Sequence, residues 1–257
     1  MERYNKIDSI SSVKIAQINE SNNTIFKGSI SVSKLNGVLT EPFDSDAAAI
    51  RCAKKGETDP TYKYAGMTAE EIKKEWEDKA NESKRYGSML DDFAGLYLNN
   101  KEKELALWKL DNNYEYDERL RNNCQGFLEF YNLLTTTTNY RYVSREMKLF
   151  AKSKVSENVV NGRFDCLFYD ETTNSYIIID WKTTEGISLK NDYGKVLKGP
   201  AYQLDQCDAN TYTMQLQLYK KALVETYNLT EENKVSIYVC NVLREKDELT
   251  GKYYRLI

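Results

Sequence analysis

The stretch Gly162-Arg163-Phe164-Asp165-Cys166-Leu167-Phe168-Tyr169 is followed, after Asp170-Glu171-Thr172-Thr173-Asn174, by Ser175-Tyr176-Ile177-Ile178-Ile179-Asp180-Trp181-Lys182. Two β-prone apolar runs on either side of a polar, turn-forming segment predict an antiparallel hairpin. Four successive apolar residues before Asp180 predict a central strand covered on both faces. Alternation along that strand puts Asp180 and Lys182 on one face and Trp181, packed into the core, on the other.

An apolar strand that ends in two charges is unfavourable unless they are paired or bind a metal. Two carboxylates and an amine suit Mg²⁺- or Mn²⁺-dependent hydrolysis of phosphodiesters. The carboxylates hold the hard cation, and the lysine supports the nucleophile or the developing charge. The alternatives are plainer. Asp165 could end a hairpin strand or pair with Arg163, and Asp180 with Lys182 could be a solvated ion pair worth ~0–1 kcal/mol.

Outward from the hairpin, period-two patterning predicts a preceding strand over 140–150, then strands over 159–169, 175–182 and 235–242, with a helix over 210–227 between the last two. Segment 186–208 is polar and holds Gly194, Gly199 and Pro200. It reads as a flexible loop beside the site that closes on substrate. Upstream, 24–32 is a strand candidate and 45–54 a short helix. Thr68-Ala69-Glu70-Glu71 is a capping box that opens a helix toward Lys84. Gly87 either interrupts that helix or starts another through Leu98. A helix over 118–134 carries Phe127, Phe130, Tyr131 and Leu134 on one stripe. The expected fold is therefore α/β, a central mixed sheet flanked by helices. The chain reads as one domain, 1–257, with a mainly helical part (1–135) and an α/β core (136–257).

Composition narrows the chemistry. The 257-residue chain has no histidine, which excludes serine–histidine triads, histidine-based nucleases and histidine-ligated zinc hydrolases. The net charge of -3 provides no global basic field for nucleic acid, although basic residues lining one groove would suffice. Lys84, Arg85, Lys190, Lys195 and Lys198 are candidates for such a groove, with scattered solvated lysines as the plainer alternative. Five dispersed cysteines without a C-x-x-C pair argue against disulfide scaffolds and zinc ribbons. With a polar N-terminus and no spanning apolar run, the sequence predicts no membrane segment and a soluble, cytoplasmic or otherwise intracellular protein. Few prolines and many Asn, Lys and Tyr residues suggest an AT-rich coding source, such as a virus or bacteriophage.

The spacing of these residues resembles the PD-(D/E)XK nuclease superfamily, with Asp165 as the first acidic position and Asp180-Trp181-Lys182 as the (D/E)-x-K element. Two further elements resemble its RecB-like exonuclease branch. Gln215 and Tyr219 match Q-x-x-x-Y and share a helix face. Gly87-Ser88-Met89-Leu90-Asp91 is similar to G-[ST]-x-x-H, with Asp91 where the family has histidine. Ser31-Val32-Ser33-Lys34-Leu35 resembles the branch's S-x-S-x-L opening, so the likeness runs over about 31–240.

The resemblance implies a restriction-endonuclease-like core. It also implies a metal-dependent deoxyribonuclease, an exonuclease acting on single-stranded DNA or DNA ends. Asp165, Asp180 and the Trp181 carbonyl would ligate Mg²⁺ or Mn²⁺, and Glu146 and Asp91 would complete the shell. Lys182, Gln215 and Tyr219 would act beside them. Each of the last candidates has a plainer reading: Glu146 as an alternating surface residue, Asp91 as a solvated helix residue, Gln215 and Tyr219 as packing residues. The cysteine spacing lacks the triplet that holds an iron–sulfur cluster in some members, so none is expected. A recombination, repair or replication protein is the partner the resemblance allows. An endonuclease on DNA or RNA, a non-catalytic nucleic-acid-binding protein on the same fold and an interaction domain with a chance motif are the alternatives.

Overall fold

A computed structural model describes residues 29–152, 159–184, 186–229 and 234–242, and the backbone of 244–245, 248–249 and 252–255. The strand candidate at 24–32 lies mostly outside these residues. The fold is mixed α/β, in two compact units: Pro42–Asp92, and the remainder, Met1–Glu41 with Phe93–Ile257.

Among the described residues, the larger unit begins with β1 (Ile30–Ser31) and α1 (Val32–Leu39), whose N-cap Ser31 accepts from the Lys34 N–H at 3.1 Å. The smaller unit holds α2 (Ser45–Thr58), capped by Asp44, and most of α3 (Ala69–Leu98). The capping box forms as predicted. The Thr68 N–H donates to Glu71 Oε2 at 2.8 Å, and the Glu71 N–H donates to Thr68 Oγ1 at 3.2 Å. Ala49, Tyr64 and Ile72 form the core of this unit, and Trp76 Nε1 donates to the Tyr64 hydroxyl at 2.7 Å. Helix α3 runs through Gly87 without interruption, and a Cβ there would meet nothing within 4 Å.

The larger unit continues with α4 (Glu102–Asp111) and α5 (Glu118–Thr137), the latter capped by Asp117. Next come β2 (Tyr140–Ser144), β3 (Leu149–Lys152), β4 (Val159–Gly162), β5 (Cys166–Asp170) and β6 (Ser175–Lys182). They are followed by α6 (Asp208–Tyr227), β7 (Lys234–Asn241), β8 (Arg244–Glu245), β9 (Glu248–Leu249) and β10 (Lys252–Arg255). The main sheet has the order β10-β7-β6-β5-β2, with β6 and β7 parallel and the other pairs antiparallel. A smaller sheet has the order β1-β4-β3.

The predicted hairpin is β5–β6, in register from Cys166↔Ile179 to Asp170↔Ser175. Its turn is closed by Asp170, which accepts from the Thr172 N–H at 2.9 Å and the Thr173 hydroxyl at 2.6 Å, and by Asn174 at φ 55°. Strand β6 is central and buried along nearly all its length. Tyr176 and Ile178 join Leu216, Tyr219 and Leu223 of α6 in one core cluster. On the opposite face, the Trp181 ring meets Phe127 of α5 edge-on, with centroids 5.1 Å apart. Each buried isoleucine or leucine in these layers contributes roughly 1.5–3 kcal/mol. Helix α5, grouped by sequence with the helical N-terminal part, therefore packs on the sheet as one of its two covering layers.

Two predicted strands are shorter than their apolar patterns. The 140–150 run breaks at Arg145–Lys148, where Glu146 takes φ 51°. The 159–169 run breaks at Arg163–Asp165. Segment 186–208, read from sequence as a flexible loop, is tied down by its own polar side chains. Asn191 accepts from the N–H groups of Tyr193 and Lys195 at 2.9 and 3.1 Å and donates to the Gln206 carbonyl at 2.7 Å. Gln206 bonds the Glu41 backbone through both its side-chain oxygen and its side-chain nitrogen. The Lys198 N–H donates to the Leu39 carbonyl at 2.7 Å, and Leu197 is buried.

Candidate functional site

The site is built from the ends of β4, β5 and β6 under the N-terminal half of α6. Beyond Tyr176 and Ile178, the next residue on the α6 face of β6 is Asp180, only 3% exposed. One step past the last β5–β6 pair, Cys166↔Ile179, the register sets Asp165 opposite Asp180. Asp165 lies in a bend rather than in the strand, contrary to the expectation from sequence. Its Oδ2 accepts from the Trp181 N–H at 2.9 Å, so a side-chain oxygen stands where a ladder carbonyl would. The break in the strand is what brings the carboxylate in to the neighbouring backbone.

Lys182 pairs with Asp180 Oδ2, and its amine lies 5.1 Å from the centroid of the Tyr212 ring. Burial works against the charge on Lys182, but Asp180 and Asp165 outweigh it and hold the amine protonated beyond its ordinary range. Tyr212 precedes Gln215 by three residues and Tyr219 by seven on α6, so the three share a face. That spacing was the sequence signal for Tyr212, and the reading of the sequence missed it.

Gln215 Nε2 donates to the Tyr219 hydroxyl at 3.0 Å. The Tyr219 ring is 4% exposed and crosses the end of β4 against Gly162. A Cβ on Gly162 would fall 2.3 Å from a ring carbon, so glycine is required there by close approach. Burial pushes the Tyr219 phenol up to about 12, and Asp180 and Asp165 push in the same direction. Asp165, Asp180, Lys182, Gln215 and Tyr219 thus come together, joined by Tyr212 and Gly162.

Glu146 does not lie on a strand, as the alternating pattern suggested. It occupies the left-handed bend between β2 and β3, where its carboxylate accepts from Arg163 at 2.9 Å. Arg163, the suggested alternative partner for Asp165, is therefore engaged with Glu146. Asp91 lies on α3 within the Pro42–Asp92 unit, so its part in the site rests on the sequence alone. Among the described residues, no three acidic, cysteine or histidine side chains cluster as a metal cage. No helix among them is long and apolar enough to cross a membrane.

No protein-family model matches the chain, and no curated protein matches it. Among solved structures, the protein described as SSO0001 is similar over 66% of each chain, just under two thirds, at 14% identity and a TM-score of 0.27. At that score the likeness fixes neither fold nor activity.

Proposed function

We propose that the chain is a metal-dependent deoxyribonuclease with a RecB-like PD-(D/E)XK core, an exonuclease acting on DNA ends. One observation carries the reading: Asp165 and Asp180 meet at paired strand ends, with Lys182 bonded to Asp180 and the Gln215–Tyr219 pair above the same end. A lysine whose only task was a surface ion pair would not be drawn inward beside two carboxylates, one of them 3% exposed.

The donor set fits a hard cation. Both side chains offer oxygen, and Mg²⁺ is commonly held by one or two carboxylates plus water and substrate phosphate rather than by a full protein cage. Asp165, Asp180 and the Trp181 carbonyl would hold it, and when bound it supplies charge neutralisation at the phosphate and a more acidic water.

The protein's own part follows from Lys182. Paired with Asp180 at the strand end, it acts as a hydrogen-bond donor. It orients the attacking water or stabilises the charge that develops on the phosphate oxygens. Tyr219 and Gln215 keep α6 seated over the strand end, and burial of Asp180 strengthens each of these interactions.

The test compares the wild type with Lys182→Ala on end-labelled linear DNA and closed circular single-stranded DNA, with Mn²⁺ or with EDTA. The expected result is loss of the linear substrate alone, only with metal, and on the order of 100-fold or more slowing by the substitution. Wild-type rates from Lys182→Ala would overturn the assignment, and cleavage of the circle would replace end-directed action with an endonuclease.

A further inference from the structure

Five exposed large apolar side chains fall within one stretch of the described residues: Leu189, Tyr193, Val196, Tyr202 and Leu204. Tyr193 is 89% exposed and Tyr202 62%. The span 189–204 also carries Lys190, Lys195 and Lys198 against Asp192 alone, three positive charges less one, a net +2 in a chain of -3. Lys195 lies 4.0 Å from Glu41, whereas among the described residues Lys190 and Lys198 have no acidic partner.

These side chains stand out from a bonded framework. Val196 bridges Asp205, the Leu197 N–H donates to the Leu204 carbonyl at 2.9 Å, and Gly194 and Gly199 take the positive φ that the turns require. A segment held this firmly could have turned its rings inward, as it does with Leu197, and it displays two tyrosines instead. Its start is joined to the site. Ser188 donates to Asp208 through both its N–H and its hydroxyl, and one helical turn later Tyr212 carries its ring to Lys182.

We propose that residues 189–204 form a platform for single-stranded nucleic acid. Tyr193 and Tyr202 stack on unpaired bases, while Lys190 and Lys198 take backbone phosphates. The proposal rests on the hydrolase reading of the adjoining site for the fate of the strand, but not for its binding. Exposed rings offer sequence-independent contact with a base face, which a duplex keeps covered in its own stack, and interspersed lysines offer charge to backbone phosphates. A purely apolar partner surface would match the rings and leave the lysines unanswered.

Binding is read by fluorescence anisotropy of labelled oligothymidylate with the full chain in EDTA, where cleavage does not intervene, over a series of salt concentrations. Tyr193→Ala with Tyr202→Ala should weaken binding by roughly 10-fold or more, and the double phenylalanine variant should bind as the wild type does. Lys190→Ala with Lys198→Ala should weaken binding and flatten its salt dependence by ~0.7 in log–log slope for each phosphate no longer neutralised. Blunt duplex should compete poorly. If the wild type does not bind the oligonucleotide, or the alanine pair binds as tightly as wild type, the platform is overturned and a protein partner becomes the candidate for this face. Tyrosine-dependent binding by a chain that cuts nothing would refute the hydrolase reading and keep the platform. Cleavage with tyrosine-independent binding would do the reverse.

Discussion

Asp165 lies in the bend just before β5 and Asp180 on the antiparallel strand β6, and each is held differently. Asp165 accepts from a backbone N–H, a bond that a neutral amide oxygen can also accept, so Asp165→Asn should keep the fold within about 1 kcal/mol. Asp180 is buried against the Lys182 amine, so Asp180→Asn removes the charge that holds that amine inward and should cost about 1–3 kcal/mol. Both substitutions remove a proposed metal ligand. Thermal melts with and without Mn²⁺ separate the two effects. The wild type should gain roughly 2.7 kcal/mol at about 100-fold excess of metal over its dissociation constant, on the order of 5–10 degrees in Tm, and Asp165→Asn should gain nothing despite a normal melt in EDTA. An equal Mn²⁺ shift in wild type and Asp165→Asn would remove Asp165 from the metal site. Residue by residue, the pairing of Asp180 with Lys182 was legible because a charge at the end of an apolar strand is unfavourable unless it is paired. Glu146 was not, because an alternating pattern carries no record of the left-handed bend that turns it to Arg163.

At the scale of elements, Gly162 at the end of β4 and Tyr219 on α6 touch so closely that each dictates the other. Gly162→Ala places a methyl about where the ring lies, and overpacking of this kind costs about 1–3 kcal/mol. Because the ring also carries the bond from Gln215, the substitution should lower cleavage as well as Tm. A double-mutant cycle checks the cause. In a Tyr219→Ala background the added methyl should be nearly neutral, and an undiminished penalty there would mean the strain lies elsewhere. The same packing logic explains which elements could be read beforehand. The hairpin, the capped helices α2, α3 and α5, and the Gln215–Tyr219 helix all carry period, cap or turn chemistry in their own residues. Helix α4 carries none: no side chain caps it, and Leu107 and Leu110 face outward, so it presents no apolar stripe. Gly87 looked like a breaker, but a helical glycine costs only ~1 kcal/mol relative to alanine, which a 30-residue helix absorbs. Segment 186–208 looked mobile because its residues are polar. That polarity goes into internal bonds, and which polar residues will find one another across a loop is a tertiary fact.

For the molecule as a whole, the two compact units differ in how they should respond to alkali. In Pro42–Asp92 the shifted groups, such as Asp59, Lys63 and Glu75, lie at the surface, so their titration bears little on stability. In the unit that contains the sheet, burial pushes the phenols of Tyr176, Tyr219 and Tyr227 up to about 12, and raises Tyr142 and the thiols of Cys124 and Cys240 further. An unfolded tyrosine ionises near pH 10. Between pH 10 and 12 the unfolded chain therefore binds fewer protons than the native one, and stability falls as pH rises. Below pH 10 both states keep the phenols neutral, and the contribution is present in full. For Tyr176 and Tyr219, at 2% and 4% exposure, the loss by pH 12 is at most about 2–3 kcal/mol each. A titration from pH 8 to 12.5, following tyrosinate absorbance beside far-UV circular dichroism, checks this. The phenols of Tyr176, Tyr219 and Tyr227 should ionise together with the loss of sheet signal. Smooth ionisation of every tyrosine near pH 10 with the dichroism intact would mean that the sheet does not exclude water from these rings. The layered core beneath the carboxylates would then be looser than the burial of β6 requires.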